Sequence, residues 1–321
     1  MSRMKRFLFA LAAFCTIGSG AAQDFPSRPV HFIVPYTPGS GADTLARVLG
    51  NKLAERWKVA VVTENKPGAT GNIGAEFVAK AAPDGHALLF AATSFSTNPA
   101  LTRSLPFDPV KSFSPVLLAA TSALAVMVNP QLPARSLREF IELARQRPGR
   151  LHYSTPGSGG VQHLAMELLK LETKMDVVHV PYKGLGGALS DLVGGHVEAT
   201  VSAIQSAAPL VQSGKLRMLA VMSSERYPGF PEVPTLKEQG FADLEIDTWY
   251  GVFAPAGTPR IVIDKLNQDM NSQLKEPAVR DLLYKQGMIA AGGPAERMAE
   301  LLGRELARWS RVVAAAGIKG E

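Results

Sequence analysis

Cysteine is almost absent from this 321-residue chain, in which Cys15 is the single example. This cysteine lies in an N-terminal apolar stretch. The rest of the chain therefore has no thiol for a disulfide, for nucleophilic catalysis or for metal ligation. Histidine is also scarce, and none of the six forms the HxxxH or HExxH spacing of zinc sites. We therefore predict no metal, no cofactor and a fold stabilised by its apolar core.

Three further absences exclude broad classes of function. No block of five or more basic residues occurs, so nucleic acid is a poor partner. After residue 22, no apolar run is long enough to cross a membrane. The nucleotide fingerprints are missing too: there is no GxxxxGK[ST], and Gln162 stands where GxGxxG would need its last glycine.

The N-terminus has the layout of a secretory signal peptide. Three basic residues precede an apolar stretch at 7–17, and small residues follow as far as Ala22. We predict cleavage after Ala22 rather than a lipid anchor, because the bulky Phe14 precedes the cysteine. The leader holds three positive charges and no acid, so the formal net charge of +6 falls to about +3 on cleavage. We expect an exported, periplasmic protein.

Two similar glycine turns lie far apart in the chain and carry most of the functional information. Pro38-Gly39-Ser40-Gly41-Ala42-Asp43 follows the apolar run 30–34, and Thr155-Pro156-Gly157-Ser158-Gly159-Gly160 follows 151–154. Each is typical of a strand end, a tight turn and a helix start. A helix start offers unpaired N–H groups and the positive end of the helix dipole, which together attract an anion. Either turn alone could be a plain βα connection, but the pair favours a small anion held from two sides.

The alternation of strand and helix patterns predicts two α/β lobes, each a mostly parallel sheet flanked by helices. We assign residues 23–125 and 226–321 to lobe 1 and residues 126–225 to lobe 2. Two crossings between lobes are typical of a hinged binding protein. Ligands then bind at the carboxyl ends of the strands, in the cleft between the lobes.

The segments at these strand ends supply the candidate ligand-binding residues. Structural roles compete for several: Asp43 suits a helix cap, Lys183 a solvated surface and His163 a buried helix position next to the turn. Trp249 and Tyr250 are more typical of core. The predicted ligand-binding residues are Tyr36, Gly39, Ser40, Gly41, Asp43, Ala69, Thr70, Ser94, Ser154, Ser158, Gly159, His163, Tyr182, Lys183 and Gly184.

A secreted serine hydrolase is the competing class of function. It would use Ser40 or Ser158, the latter with His163 as its base. Five residues apart on one helix, Ser158 and His163 do not face each other well, and the GxSxG pattern fails because Pro156 takes its first position. We therefore predict no enzymatic activity.

Taken together, several motifs resemble one known family over nearly the whole chain after the leader. The chain resembles the Bug or TctC-type periplasmic solute receptors of tripartite tricarboxylate transporters. The motifs that carry this resemblance are Val34-Pro35-Tyr36 with the first turn, Glu64-Asn65-Lys66-Pro67-Gly68-Ala69-Thr70-Gly71, Pro83-Asp84-Gly85-His86, Tyr153-Ser154 with Gly157-Ser158 to His163-Leu164, His179-Val180-Pro181-Tyr182-Lys183-Gly184, Asp191 to Val197 and Phe253 to Pro259.

The resemblance implies a two-lobe Venus-flytrap fold of type II, a monomer that closes on a small carboxylate and delivers it to membrane transporter subunits. The carboxylate would be a di- or tricarboxylate, an acidic amino acid or an aromatic acid. A sensor kinase that recognises the closed form is the alternative partner. Two positions depart from the family pattern: Ser40 replaces a usual glycine, and Gly187 replaces a common proline.

Overall fold

The computed structural model describes residues 25–102, 104–241 and 244–318, so the predicted signal peptide at 1–22 lies outside the described residues. The strands are β1 (Val30–Val34), β2 (Val61–Asn65), β3 (Ala87–Ala92), β4 (Phe113–Val128), β5 (Leu151–Thr155), β6 (Val177–Pro181), β7 (Ala199–Ala203), β8 (Arg217–Val221), β9 (Asp247–Pro255) and β10 (Ile289–Ala290). The helices are α1 (Gly41–Trp57), α2 (Asn72–Ala79), α3 (Ser94–Leu101), α4 (Leu137–Gln146), α5 (Val161–Thr173), α6 (Leu185–Gly194), α7 (Ile204–Gln212), α8 (Arg260–Leu274), α9 (Pro277–Lys285) and α10 (Ala295–Ala315). No helix among the described residues is both long and apolar enough to cross a membrane.

The strands pair in the order β2-β1-β3-β9-β4-β7-β5-β6, and β10 and β8 also pair with β4. In the first half, β1 runs parallel to β2 and β3, and β9 is antiparallel to β3. In the second half, β5 runs parallel to β6 and β7. The parallel strands therefore end at a common edge in each half, as the alternation of strands and helices predicted.

The long strand β4 connects the two halves. Its residues 113–123 pair antiparallel with β9, whereas Leu124–Val128 pair with β7 and β8. The change of partner at 123–124 divides the sheet into two parts, each with its own helices. The α/β fold with two lobes is confirmed.

Each lobe encloses its sheet between two apolar layers. In the first lobe, one layer joins α1 and α8 to one sheet face, and the other joins α2, α3 and the start of α10 to the opposite face. In the second lobe, α4 and α5 cover one face, and α6 and α7 cover the other. Helices on both faces are what a largely parallel sheet requires, because both of its faces must be buried.

Helix α10 contributes to the cores of both lobes. Met298 and Leu302 pack in the first lobe, whereas Trp309, Val312 and Val313 pack with the core of the second. The sequence analysis assigned all of 226–321 to lobe 1, and those lobe boundaries stay a prediction. The apolar contacts nonetheless show that the C-terminal helix connects the lobes rather than serving one of them.

Local details go beyond the sequence predictions or differ from them. The segment 93–98, which follows the end of β3, is mostly the helix α3. The helix predicted from Ser158 begins at Val161 with Gly160 as its N-cap. The short strand β10 was not predicted, because two residues leave too little periodicity to detect.

Candidate ligand-binding site

The first glycine turn ends at the N-terminus of α1. Ser40 is the N-cap of this helix, and its Oγ accepts a hydrogen bond from Asp43 N at 3.3 Å. A cap of this kind fixes the direction of the first helical turn while leaving other N–H groups of that turn unpaired. The turn therefore leads from a strand end into a helix start, as predicted, and its serine hydroxyl serves as the helix cap.

Asp43 is the structural centre of this turn. Its buried carboxylate accepts hydrogen bonds from Gly39 N at 2.9 Å, from Asn65 Nδ2 at 2.9 Å and from Arg47 Nε at 3.0 Å. Burial alone would raise the pKa of Asp43, but these bonds together lower it below its usual value. The carboxylate holds the turn to β2 and to its own helix, so its bonding capacity is largely used within the fold.

Two tyrosines border the same turn. Tyr36 Oη lies 2.7 Å from Ser94 Oγ and accepts a hydrogen bond from Ala92 N at 3.0 Å. Tyr250 approaches from β9: a Cβ placed on Gly41 would lie only 2.3 Å from its Oη. Glycine is therefore required at 41 by the close approach of a phenol. Burial raises the pKa of both phenols, so both are protonated at neutral pH.

The loop after β2 has an unusual backbone. Gly68, Ala69, Thr70 and Gly71 all have positive φ, including 45° at Ala69 and 55° at Thr70. Such values are uncommon for residues with a side chain and cost about 1–3 kcal/mol each. The buried Asn98 of α3 holds the loop, because its Nδ2 donates to Thr70 O at 2.9 Å. The predicted residues Ala69 and Thr70 thus lie in a strained segment anchored to α3.

The second glycine turn is held by histidines. Gly159 N donates to His163 Nδ1 at 3.0 Å, so His163 has the structural role weighed against catalysis in the sequence analysis. Thr155 Oγ1 donates to Gly157 O at 2.8 Å and lies 2.7 Å from His179 Nε2. Ser158 is exposed at the tip of this turn and is not the helix cap.

The two imidazoles form part of a stacked column beneath the turn. The rings of His163 and His179 are parallel with centroids 3.9 Å apart, and Tyr153 stacks on His179 at 5.0 Å. Burial, and then the neighbouring His163, lower the pKa of His179 to about 4. Burial also lowers the pKa of His163. Both rings are therefore neutral at pH 7, and His163 can accept the Gly159 N–H bond.

The third predicted segment, 182–184, lies beside the second turn. Tyr182 N donates to Thr155 O at 3.0 Å, and Tyr182 Oη donates to Asp191 Oδ2 at 2.6 Å. That hydrogen bond raises the pKa of Tyr182 to about 12. Lys183 is exposed, and Gly184 caps α6 with a φ of 139°. This segment offers one cation and two backbone N–H groups next to the second turn.

Ser154 is a core position of β5, directly before the second turn. It is fully buried, and its Oγ donates to Ala188 O of α6 at 3.2 Å. Its own carbonyl accepts a bond from Thr200 Oγ1 at 2.8 Å. The position fastens β5 to its neighbours, so we leave Ser154 out of the proposed ligand contacts.

Helix α3 brings the two turns together. Its first residue, Ser94, contacts Tyr36 beside the first turn, whereas its last residue, Leu101, contacts the second turn. A Cβ placed on Gly159 would lie 3.2 Å from Leu101 Cδ1. An eight-residue helix is about 12 Å long, so α3 contacts both turns within this short span.

The comparison with known sequences agrees with this geometry. The sequence model of the family described as "Tripartite tricarboxylate transporter family receptor", or TctC, matches residues 45–318. The chain belongs to this family. A named relative, Protein BugT of Bordetella pertussis, is 34% identical over 322 residues, which cover 98% of this chain and 99% of that protein.

Solved structures of TctC-type proteins have the same fold. A structure described as a periplasmic transporter is 38% identical, covers 92% of this chain and 99% of its own, and has a TM-score of 0.75. Rpa4515 of R. palustris, solved with adipate, is 34% identical, with coverage of 93% and 100% and a TM-score of 0.76. MatC of Rhodopseudomonas palustris, with bound malate, is 33% identical, with coverage of 90% and 100% and a TM-score of 0.72.

The residues around the turns of this TctC family member include several that the sequence analysis missed. Tyr250 was interpreted as core, because its strand is apolar and nothing local shows that its hydroxyl reaches Gly41. Asn98 was not among the predicted site residues and is the buried anchor of the loop 68–71. Arg47 could have been found, because it lies one helical turn after Asp43 and the two charges are opposite.

Proposed function

We propose that this protein is an extracytoplasmic receptor that captures a small carboxylate between its lobes and delivers it to a tripartite tricarboxylate-type membrane transporter. The observation that carries the proposal is the pair of helix N-termini at α1 and α5. The turns before them are both contacted by the helix α3. Each start follows a tight glycine turn and provides unpaired N–H groups at the positive end of a helix dipole. The adipate and malate complexes of the structural neighbours support a carboxylate as the ligand.

The electrostatics of the two turns favour a bound anion without a buried ion pair. The carboxylate of Asp43 is saturated by Arg47, Asn65 and the turn itself, so it adds little free negative charge to the site. Both histidines are neutral, and Lys183 is an exposed cation beside the second turn. We infer that backbone N–H groups and the hydroxyls of Tyr36, Ser94, Ser158 and Tyr250 bind the carboxylate oxygens.

The direct experiment is native mass spectrometry of the purified protein, which identifies a retained ligand, followed by calorimetric titration with adipate, malate and that ligand. We expect Ser158→Ala to weaken binding by about 1–3 kcal/mol, the contribution of a hydrogen bond to a charged group. Gly159→Val should weaken it further, because position 159 has a φ of 75° and a Cβ there would lie only 3.2 Å from Leu101 Cδ1.

Two control variants separate binding from folding. Gly214→Val introduces the same strain at a φ of 71° in open space outside the turns, and Ser310→Ala removes an exposed hydroxyl from α10. Both should bind like the wild type. Wild-type affinity in Ser158→Ala and Gly159→Val would instead place the carboxylate site elsewhere. If Ser158→Ala kept binding but lost turnover of an ester or amide, the protein would be a hydrolase.

We also propose that the protein is exported to the periplasm with cleavage after Ala22. The charged, apolar and small-residue regions of the leader support this, as does the description of a structural neighbour as a periplasmic transporter. N-terminal sequencing of the periplasmic protein should begin at Gln23. A mature chain that starts at a lipid-modified Cys15 would contradict the proposal.

A further inference from the structure

A cavity of about 330 Å³ lies beside β4, the strand that passes from one lobe to the other, and its partner β9. Strands β4 and β9 and helix α10 form its walls, and most of its lining is polar or charged. The lining residues are Leu118, Thr121, Ser224, Glu245, Asp247, Trp249, Arg297, Leu301, Arg304, Glu305 and Arg308. None of them belongs to the two glycine turns. The cavity is therefore distinct from the proposed carboxylate site.

An unpaired indole N–H lies in the wall of this cavity. The chain has three tryptophans, and two of them donate to carboxylates: Trp57 Nε1 to Asp269 at 2.6 Å and Trp309 Nε1 to Glu305 at 2.6 Å. Trp249 is only 1% exposed, yet its Nε1 has no acceptor among the described residues. Buried N–H groups are nearly always paired, so this donor indicates an acceptor supplied from the cavity.

A carboxyl group without a partner lies two residues away on the same face of β9. Asp247 Oδ1 is buried and accepts no hydrogen bond from a described residue. Burial, and then the neighbouring Glu245 and Glu305, raise the pKa of Asp247 to about 7. Three carboxyl groups around one cavity favour a ligand that carries a positive charge. The spacing of two residues along a strand puts the Cα atoms of Asp247 and Trp249 about 7 Å apart.

The arginines of α10 provide the opposite charge. Arg308 donates to Glu245 O at 2.6 Å and to Glu305 Oε1 at 3.0 Å, so it is held by the fold. Arg297 donates to Gly292 O at 3.0 Å. Arg304 is exposed at the cavity and makes no hydrogen bond to a described residue. The cavity thus has an unpaired acceptor, an unpaired buried donor and an available cation.

We propose that this cavity binds a small zwitterion, whose ammonium group is held by Asp247 and whose carboxylate is held by Trp249 Nε1 and Arg304. A single molecule with both charges satisfies the two buried groups and Arg304 together, which an amine or a simple acid cannot do. The volume is about ten times the roughly 30 Å³ of one water molecule. Because β4 and α10, which both extend into the two lobes, line the cavity, its occupant would restrain their relative movement.

The probes are glycine and 4-aminobutyrate, titrated into the wild-type protein by calorimetry and by tryptophan fluorescence, with propionate and ethylamine as singly charged controls. We expect at least one zwitterion to bind at least tenfold more tightly than either control. Asp247→Asn, Trp249→Phe and the exposed Arg304→Gln should each weaken binding at least tenfold. Gly159→Val alters the second glycine turn and should leave zwitterion binding in this cavity unchanged. A loss of binding at the cavity can therefore be distinguished from a loss of binding at the carboxylate site.

The pH dependence gives an independent measurement. The ammonium group needs the ionised carboxylate, so affinity should rise from pH 6 to pH 8 as Asp247 ionises. The charged groups that face it across the cavity are Glu245, Glu305, Arg297, Arg304 and Arg308, and burial raises the pKa of Glu305 as well. No binding of either zwitterion at 50 mM would overturn the proposal and leave water as the occupant. Equal affinity in Arg304→Gln, or binding of ethylamine as tight as that of the zwitterions, would overturn it as well.

Discussion

The carboxylate of Asp43 holds the first glycine turn in place through bonds within the fold. Its two oxygens accept hydrogen bonds from the backbone N–H of Gly39, from the side-chain amide of Asn65 and from the guanidinium of Arg47. An asparagine can keep some of these bonds, but its NH₂ group would face the donors of Asn65 or Arg47. The residue therefore connects the turn after β1 to the end of the neighbouring strand β2.

We expect Asp43→Asn to lower the free energy of unfolding by about 1–3 kcal/mol at pH 7. Because the folded pKa of Asp43 is lowered, its stabilisation is complete above the unfolded pKa of about 4 and is lost as the pH falls through the folded value. Urea unfolding at pH 7 and near pH 3 measures the difference. Asp264→Asn, which breaks an exposed pair with Arg260, is the control and should cost at most about 1 kcal/mol.

Asp247 has the opposite dependence on pH in the protein without a ligand. Its folded pKa of about 7 lies above the unfolded value, so the free energy of unfolding should fall as the pH rises from about 4 to 7. Asp247→Asn should remove this fall in the free energy of unfolding between pH 4 and 7. Unfolding midpoints at pH 5 and pH 8 should converge in the variant and differ in the wild type. A wild-type difference that persists in the variant would assign the effect to another group.

At the scale of elements, α3 connects three parts of the site. It contacts Tyr36 at its start, holds the strained loop 68–71 through Asn98 and contacts the second turn at its end. Backbone strain in the loop persists only because these contacts fix it. The helix therefore provides a physical route by which a change at one turn can reach the other.

We expect Asn98→Ala to release this loop. The variant leaves Thr70 O without its buried donor and should lose about 1–3 kcal/mol of stability, with faster amide exchange across 68–72. Hydrogen exchange detected by mass spectrometry tests this, and ligand affinity should fall in parallel. Asn51→Ala, on the exposed side of α1, is the control. Unchanged exchange at 68–72 would show that Asn98 does not hold the loop.

At the scale of the whole molecule, the lobes are joined by more than the strand β4. Helix α10 enters both cores, and Ser122 Oγ donates to Gly287 O at 2.8 Å near the change of strand partner. Across the same side, Tyr227 stacks on Tyr284 with ring centroids 6.1 Å apart. Lobe closure must therefore bend β4 and β9 while these contacts slide or break.

We expect closure on binding of the carboxylate to reduce the radius of gyration. Small-angle scattering of the purified protein, with and without saturating ligand, measures the change. Tyr284→Ala removes the stacked contact and should alter the radius of the protein without a ligand more than that of the complex. An unchanged radius on binding, starting from an open state, would count against a hinge mechanism.

The amino-acid sequence by itself determined the alternation of strands and helices, the two lobes and the two glycine turns, because periodicity, caps and glycine positions are local signals. It also identified the family, since many short motifs matched together. It did not place Tyr250 over Gly41, Asn98 under Thr70 or His163 against His179, and it did not show that Ser154 is buried. Those contacts join residues that are distant in the chain, and only the packing of the lobes and of α3 decides which side chains meet.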